Sequence, residues 1–435
     1  MKIFKFFSFF VFKGTGALLT FGYIFLATKI LSPTEYGVLA LLITFINLGG
    51  TFFSFGVPAY FFEILSSKKL MKNFNEKLKY ISITIILISI IFCIVVNYYS
   101  NLISFWFFKN TEYNFVINTL GLVIFFAILN RIFSSYFIAS KKYFVATIGD
   151  NFLFPFFIII FLLISLNLKI VNFDIFLVLI LLLLPLITLY YLLYVKINFS
   201  FLNIQIVLKK YKETLKPCID LTVTSISGII LISSDIIILG ILSEPAFVSN
   251  YHIATKISAV ISLILAASMS YYYGKSLSLV KKNKISKLSK QFNQVNFYSF
   301  VTSLILLIII TLSFNLLIKY FFYNANLDIL QKLIFILCFG QFINVIFGYQ
   351  GSLLIIVPKY RRVIGLIFIF TVIFNIVTSI FAFYLLGILG VALVTMTSVI
   401  LRELLISYFF KKHYNFYPLG YMNKIFFNRK SFTLK

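Results

Sequence analysis

Acidic residues are scarce in this chain: 12 Asp and Glu stand against 38 Lys and Arg in 435 residues, alongside only 3 cysteines and 2 histidines. Cys93, Cys218 and Cys338 lie in or at the ends of apolar stretches, at spacings that suit neither a metal site nor a disulfide framework. His252 and His413 have no neighbouring ligands in sequence that would make a metal cluster. No Ser-His-Asp order, Gly-rich phosphate loop or paired-carboxylate motif stands in a soluble segment, which argues against hydrolytic or ATP-driven chemistry and for a protein that is not an enzyme. The formal net charge of +26 would suit a nucleic-acid partner, yet no soluble module or aromatic-interleaved platform accompanies it.

Long apolar runs are what the chain does have: 61% of its residues are hydrophobic and 11% charged. A membrane-spanning helix needs about 20 mostly apolar residues. About twelve such helices are expected, at 8–30, 36–65, 80–98, 113–138, 143–165, 174–195, 217–242, 248–273, 294–320, 329–356, 363–385 and 387–410. The start, 1–11, has the basic flank and apolar run of a signal peptide. No small-residue cleavage pattern follows, so it is taken as part of the first helix. With both termini cytoplasmic, the inner loops collect Lys68, Lys69, Lys72, Lys77, Lys79, Lys141, Lys142, Lys209, Lys210, Lys212, Lys216, Lys281, Lys282, Lys359, Arg361 and Arg362. The outer loops hold only Lys29, Lys109 and Lys169, with Lys319 and Lys332 at helix ends. Lys and Arg accumulate on the cytoplasmic side, so this asymmetry fixes the orientation. The expected fold is therefore an all-α polytopic membrane protein.

The longest inner connection divides the chain into an N-terminal six-helix lobe at 1–200, a basic cytoplasmic linker at 201–216, a C-terminal six-helix lobe at 217–410 and a basic tail at 411–435. A weak repeat supports the division. Ile30-Leu31-Ser32-Pro33-Thr34-Glu35-Tyr36 closes the first helix, and Ile241-Leu242-Ser243-Glu244-Pro245-Ala246-Phe247 closes the seventh. Two sets of six helices are a transporter arrangement. The basic loops would lie against anionic headgroups, each charge contributing about 1 kcal/mol, which makes membrane lipids partners.

Ionisable side chains at bilayer depth are costly and face a partner or a water-filled cavity. The candidates are Lys13, Glu63, Arg131, Asp150, Asp220, Asp235, Lys256, Arg402 and Glu403. Arg131 and Asp150 lie about seven residues, or about 10 Å, either side of the turn near Lys141, at matched depth. Asp235 and Lys256 flank the turn near Glu244 in the same way. These pairs are either structural ion pairs that keep two hairpins in register or parts of a cavity. In the cavity alternative Lys13, Arg131, Lys256 and Arg402 hold an anionic substrate, while Glu63, Asp150, Asp235 and Glu403 partly neutralise them. Asp235 with Asn375 and Thr395 offers oxygen ligands of the kind a hard cation takes, making Na⁺ or H⁺ the expected coupling ion in a protein that otherwise has no cofactor.

Three stretches resemble a known family. Thr28-Lys29-Ile30-Leu31-Ser32-Pro33-Thr34-Glu35-Tyr36-Gly37, followed by an apolar helix to Phe55-Gly56-Val57-Pro58, is similar to the opening of the polysaccharide (O-antigen-type) flippases of the multidrug/oligosaccharidyl-lipid/polysaccharide exporter superfamily. Asp235 with Leu239-Gly240, Val248, Tyr251 and Ala254 resembles that family's segment around the seventh and eighth helices. Pro358-Lys359, Asn375 and Leu386-Gly387-Ile388-Leu389-Gly390-Val391-Ala392 resemble its later helices. One departure is Ser249, where relatives commonly carry a Gly after the Val. The resemblance implies about twelve helices in two MATE-like six-helix lobes. It also implies translocation of an undecaprenyl-diphosphate-linked oligosaccharide from the cytoplasmic to the outer leaflet of a bacterial inner membrane. A polysaccharide polymerase and a chain-length regulator are the protein partners it suggests. Two alternatives stay open: a cation-coupled small-molecule exporter on the same fold, and a membrane polysaccharide polymerase or glycosyltransferase. The second is disfavoured because the longest expected outer loop, 99–112, is short and poor in acids and histidines.

Overall fold

The computed structural model describes residues 2–58, 60–61, 90–108, 114–140, 142–168, 173–194, 204–314 and 327–414. Glu63, the inner-loop lysines 68–79, Lys319, residues 201–203 of the expected linker and the tail from 415 lie outside the described residues, as do the side chains of Lys13 and Asp220. Among the described residues every regular element is a helix. They are α1 (Lys2–Ile30), α2 (Pro33–Phe52), α3 (Ile90–Tyr98), α4 (Ser100–Phe108), α5 (Asn114–Ala139), the short α6 (Tyr143–Thr147), a π-helical turn (Ile148–Leu153), α7 (Phe154–Leu168), α8 (Phe173–Tyr194), α9 (Ile204–Leu242), α10 (Pro245–Lys281), α11 (Ile285–Leu312), α12 (Leu327–Ile356) and α13 (Pro358–Tyr414). Among the described residues eight helices are long and apolar enough to cross a membrane, or nine when α3 and α4, bent by 69°, count as one span. The chain is a multi-pass helical membrane protein.

Several elements differ from the expected boundaries; among them, the expected helix 36–65 ends as α2 at Phe52 and turns at Phe55-Gly56. The linker 201–216 is helical from Ile204 and runs without a break into the membrane helix. Its Leu, Lys, Glu and Gln residues are good helix formers, and nothing before Pro217 interrupts them. The expected outer loop 99–112 begins as helix α4, because Leu102, Phe105 and Trp106 continue the apolar run past the break at Tyr99. The expected helix 143–165 contains the π-turn carrying Asp150. The last two expected helices, 363–385 and 387–410, do meet as expected, at the break in α13 at Gly387, whose φ of 61° and ψ of −144° only glycine adopts without strain.

Backbone compactness separates a first unit, Met1–His252, from a second that begins at Ile253. The sequence division lay at 201–216, but α9 packs along α2 and so belongs with the N-terminal helices. In the first unit α2 also packs on α5, α5 on α8, and α1 on α7. Lipid is as apolar as the helices, so close packing and interhelical hydrogen bonds must hold them together. At Gly37 a Cβ would lie 1.8 Å from the Pro245 carbonyl oxygen, so only glycine lets the first turn of α10 sit on α2. In the second unit α12 packs on α11 and on α13 around Phe292, Tyr349, Leu353, Ile406 and Phe410.

Candidate functional site

The motif at 30–37 proves to be architectural. Ser32 caps α2, Pro33 occupies its first turn, and Glu35 completes a capping box: Glu35 Oε2 accepts from the Ser32 N–H at 2.8 Å, while Ser32 Oγ accepts from the Glu35 N–H at 3.3 Å. Tyr36, 1% exposed, meets His252 Nδ1 through its hydroxyl at 2.9 Å, tying α2 to α10. The far end of that same stretch, Phe55-Gly56, makes the turn after α2 with φ of 45° and 63°. A Cβ on Gly56 would lie 2.6 Å from the Thr222 nitrogen, so this turn is pressed on the α9 backbone.

The intramembrane charges form one network in each unit. In the first, Arg131 on α5 reaches across to α2, donating through Nη2 to the Asn47 side-chain oxygen at 3.1 Å and to the Asn47 carbonyl at 3.3 Å. Gly50 leaves the room for it, since a Cβ there would sit 3.0 Å from Arg131 Nε. Asp150 lies within electrostatic reach of Arg131. Asp150 also accepts from the Ser134 hydroxyl and, at 3.0 Å, from the Tyr191 hydroxyl of α8. The π-turn aims its carboxylate, and Gly149 admits Tyr191, whose hydroxyl lies 2.3 Å from where a Cβ would be. Asn47, Ser134 and Tyr191 escaped the sequence reading because they carry no charge. A polar residue one helical turn from a buried charge was the available signal, as Ser134 is from Arg131.

Asp235, 1% exposed, was expected to face Lys256; its Oδ2 instead accepts from the Tyr251 hydroxyl at 2.7 Å. Lys256, half-buried in the apolar span Pro245–Met269, has no hydrogen-bond or ion-pair partner among the described residues. In the second unit Arg402 and Glu403 are joined directly, Nη2 to Oε1 at 2.8 Å and Nε to Oε1 at 2.9 Å. Arg402 Nη2 also donates to Asn344 Oδ1 of α12 at 2.8 Å, and its guanidinium stands 5.3 Å from the Phe368 ring centroid. Asn375 donates to Ser398 Oγ at 3.4 Å, and the Thr395 hydroxyl donates to the Val391 carbonyl of its own helix at 2.9 Å. Protein groups therefore already engage Arg131 and Arg402, while Lys256 keeps its donors available. Among the described residues no three His, Cys, Asp or Glu side chains gather as a metal site.

Among the described residues the spans thus carry guanidinium groups with protein partners and, in Lys256, an ammonium with none. Solved structures share this fold. The lipid II flippase MurJ in an inward closed conformation is 16% identical, with a TM-score of 0.73 over 97% of this chain and 92% of that one. An inward-facing multidrug resistance MATE family transporter of the MOP superfamily is 14% identical, with a TM-score of 0.66 over 92% and 94%. The eukaryotic MATE transporter AtDTX14 is 12% identical, with a TM-score of 0.64 over 95% and 98%. No curated protein matches the sequence significantly. The chain belongs to the family of polysaccharide biosynthesis proteins, whose pattern it matches over residues 4–272.

Proposed function

We propose that this protein is a flippase that moves an undecaprenyl-diphosphate-linked oligosaccharide repeat unit from the cytoplasmic to the outer leaflet of a bacterial inner membrane by alternating access. The observation that carries this reading is Lys256. An ammonium within an apolar span costs about 2.5 kcal/mol or more, and a protein keeps it when an anionic ligand repays that cost. Lys256 has no partner among the described residues, whereas the two arginines have theirs. A diphosphate is a multiply charged anion that a lysine serves well as a point-charge partner. The family match supports a polysaccharide intermediate as the cargo, and Arg131 on Asn47 is a further cation within a span of the same chain.

The test is reconstitution of the purified protein in liposomes with a fluorescent undecaprenyl-diphosphate oligosaccharide, movement being read by accessibility of the sugar to a soluble lectin. Wild-type protein should move the lipid, Lys256→Ala should lose most of that rate, and Lys256→Arg should restore part of it. Wild-type rates from Lys256→Ala would remove the lysine from the mechanism. A protein that ignores every lipid-linked glycan but transports small organic cations would instead share the substrate class of multidrug exporters.

A further inference from the structure

One carboxylate of the second unit has no part in the scheme above. Glu403 is 2% exposed, and its Oε1 takes both contacting nitrogens of Arg402. Its other oxygen, Oε2, is buried with no hydrogen-bond partner among the described residues. One helical turn further along α13 stands Ser407, which accepts from Gln350 Nε2 of α12 at 2.5 Å. Gln350 is completely buried, and its Oε1 also lacks a partner among the described residues. The same turn of helix is thus flanked by two orphan acceptors, one from each helix.

A buried acceptor without a donor costs about 1–3 kcal/mol, and two acceptors do not satisfy each other. A proton resolves both. Protonated at Oε2, Glu403 becomes a donor as well as an acceptor, and a neighbouring amide oxygen is the partner its O–H requires. A hard cation fits less well, since such ions take about six or more oxygens and would sit against the Arg402 guanidinium that Glu403 already holds. Arg402 does not depend on the negative charge alone, because Asn344 and the Phe368 ring continue to hold its guanidinium when the carboxylate is neutral. Arg402 is the charged group acting on Glu403. From α12 come the neutral Asn344, Gln341 and Gln350, together with Tyr349, whose hydroxyl is engaged by Ser276 at 2.7 Å; the arm of α13 before Gly387 contributes Phe368.

We propose that Glu403 is an intramembrane proton-binding site, loaded at Oε2 with Gln350 as the hydrogen-bond acceptor, while Arg402 stays anchored by Asn344 and Phe368. Uptake and release of this proton would couple translocation to the proton gradient. That coupling rests on the flippase reading; the site itself does not.

Infrared difference spectra of the full-length protein in liposomes, recorded between acidic and alkaline pH, test the site directly. Wild-type protein should show a carboxylic C=O band from a buried protonated carboxyl. Glu403→Gln should lose that band while keeping its thermal unfolding midpoint, and Gln350→Leu should move it to higher frequency as its hydrogen bond is lost. A band that survives in Glu403→Gln, or no titrating buried carboxyl in the wild type, would overturn the proposal. So would a carboxylate signal that answers to NaCl at fixed pH rather than to protons. In the lectin assay a proton gradient should accelerate the wild type and leave Glu403→Gln unaffected. If the band titrates as expected but no lipid moves, the flippase reading fails and the site stands.

Discussion

The two units place a guanidinium inside the membrane in different ways. In the first, Arg131 is held by an amide and a carbonyl of Asn47, and the acid it senses, Asp150, is itself held by the hydroxyls of Ser134 and Tyr191. In the second, Arg402 and Glu403 are neighbours on one helix, in direct contact and nearly excluded from solvent. Charge spread over several neutral partners survives the loss of any one of them. In the direct pair Arg402 keeps Asn344 and the Phe368 ring when Glu403 is neutral, but removing Arg402 strands a buried carboxylate. The first arrangement tolerates rearrangement of its helices, and the second suits a site where a single proton changes the balance.

The sharpest way to break this contrast is Arg402→Ala, which leaves Glu403 buried without its counter-charge and should cost about 3–5 kcal/mol in unfolding free energy. Restoring an apolar pair with Arg402→Met and Glu403→Leu together should recover most of that loss, as read by thermal unfolding in detergent. Arg131→Ala should cost less, about 2 kcal/mol for its charged hydrogen bonds, since Asp150 keeps both hydroxyl donors. If Arg131→Ala proved as damaging as Arg402→Ala, the two networks would be alike after all. Glu35→Ala, which opens the capping box of α2 about three helical turns from Asn47, should lower the unfolding midpoint by an amount equivalent to about 1 kcal/mol. Tyr191→Phe removes one of the donors to Asp150 and should cost about 0.6 kcal/mol, the mean for interhelical hydrogen bonds in membranes. A double-mutant cycle of Tyr191→Phe with Ser134→Ala would show whether the two hydroxyls share the carboxylate or act independently.

Helix positions were legible where composition alone decides them. The described residues of the expected spans 113–138 and 174–195 are helical, lying within Asn114–Ala139 and Phe173–Tyr194, because an apolar run of spanning length has no alternative in lipid. The charged positions were legible for the same reason, and turn arithmetic brought Arg131 and Asp150 to one depth. Their partners were not. Asn47, Tyr191, Asn344 and Gln350 are neutral residues from other helices, and nothing local marks them.

The sequence by itself determined that this protein is built of membrane helices and where its costly charges lie, since both follow from the transfer of side chains between water and lipid. Only the tertiary structure decided that Glu403 pairs with Arg402, that Asp235 turns to Tyr251, and that Lys256 has no partner among the described residues. Which atoms meet across helices depends on close approaches such as that of Gly37 to Pro245 and on local irregularities such as the π-turn at Asp150. Those are properties of packed surfaces, and hydropathy along one chain does not encode them.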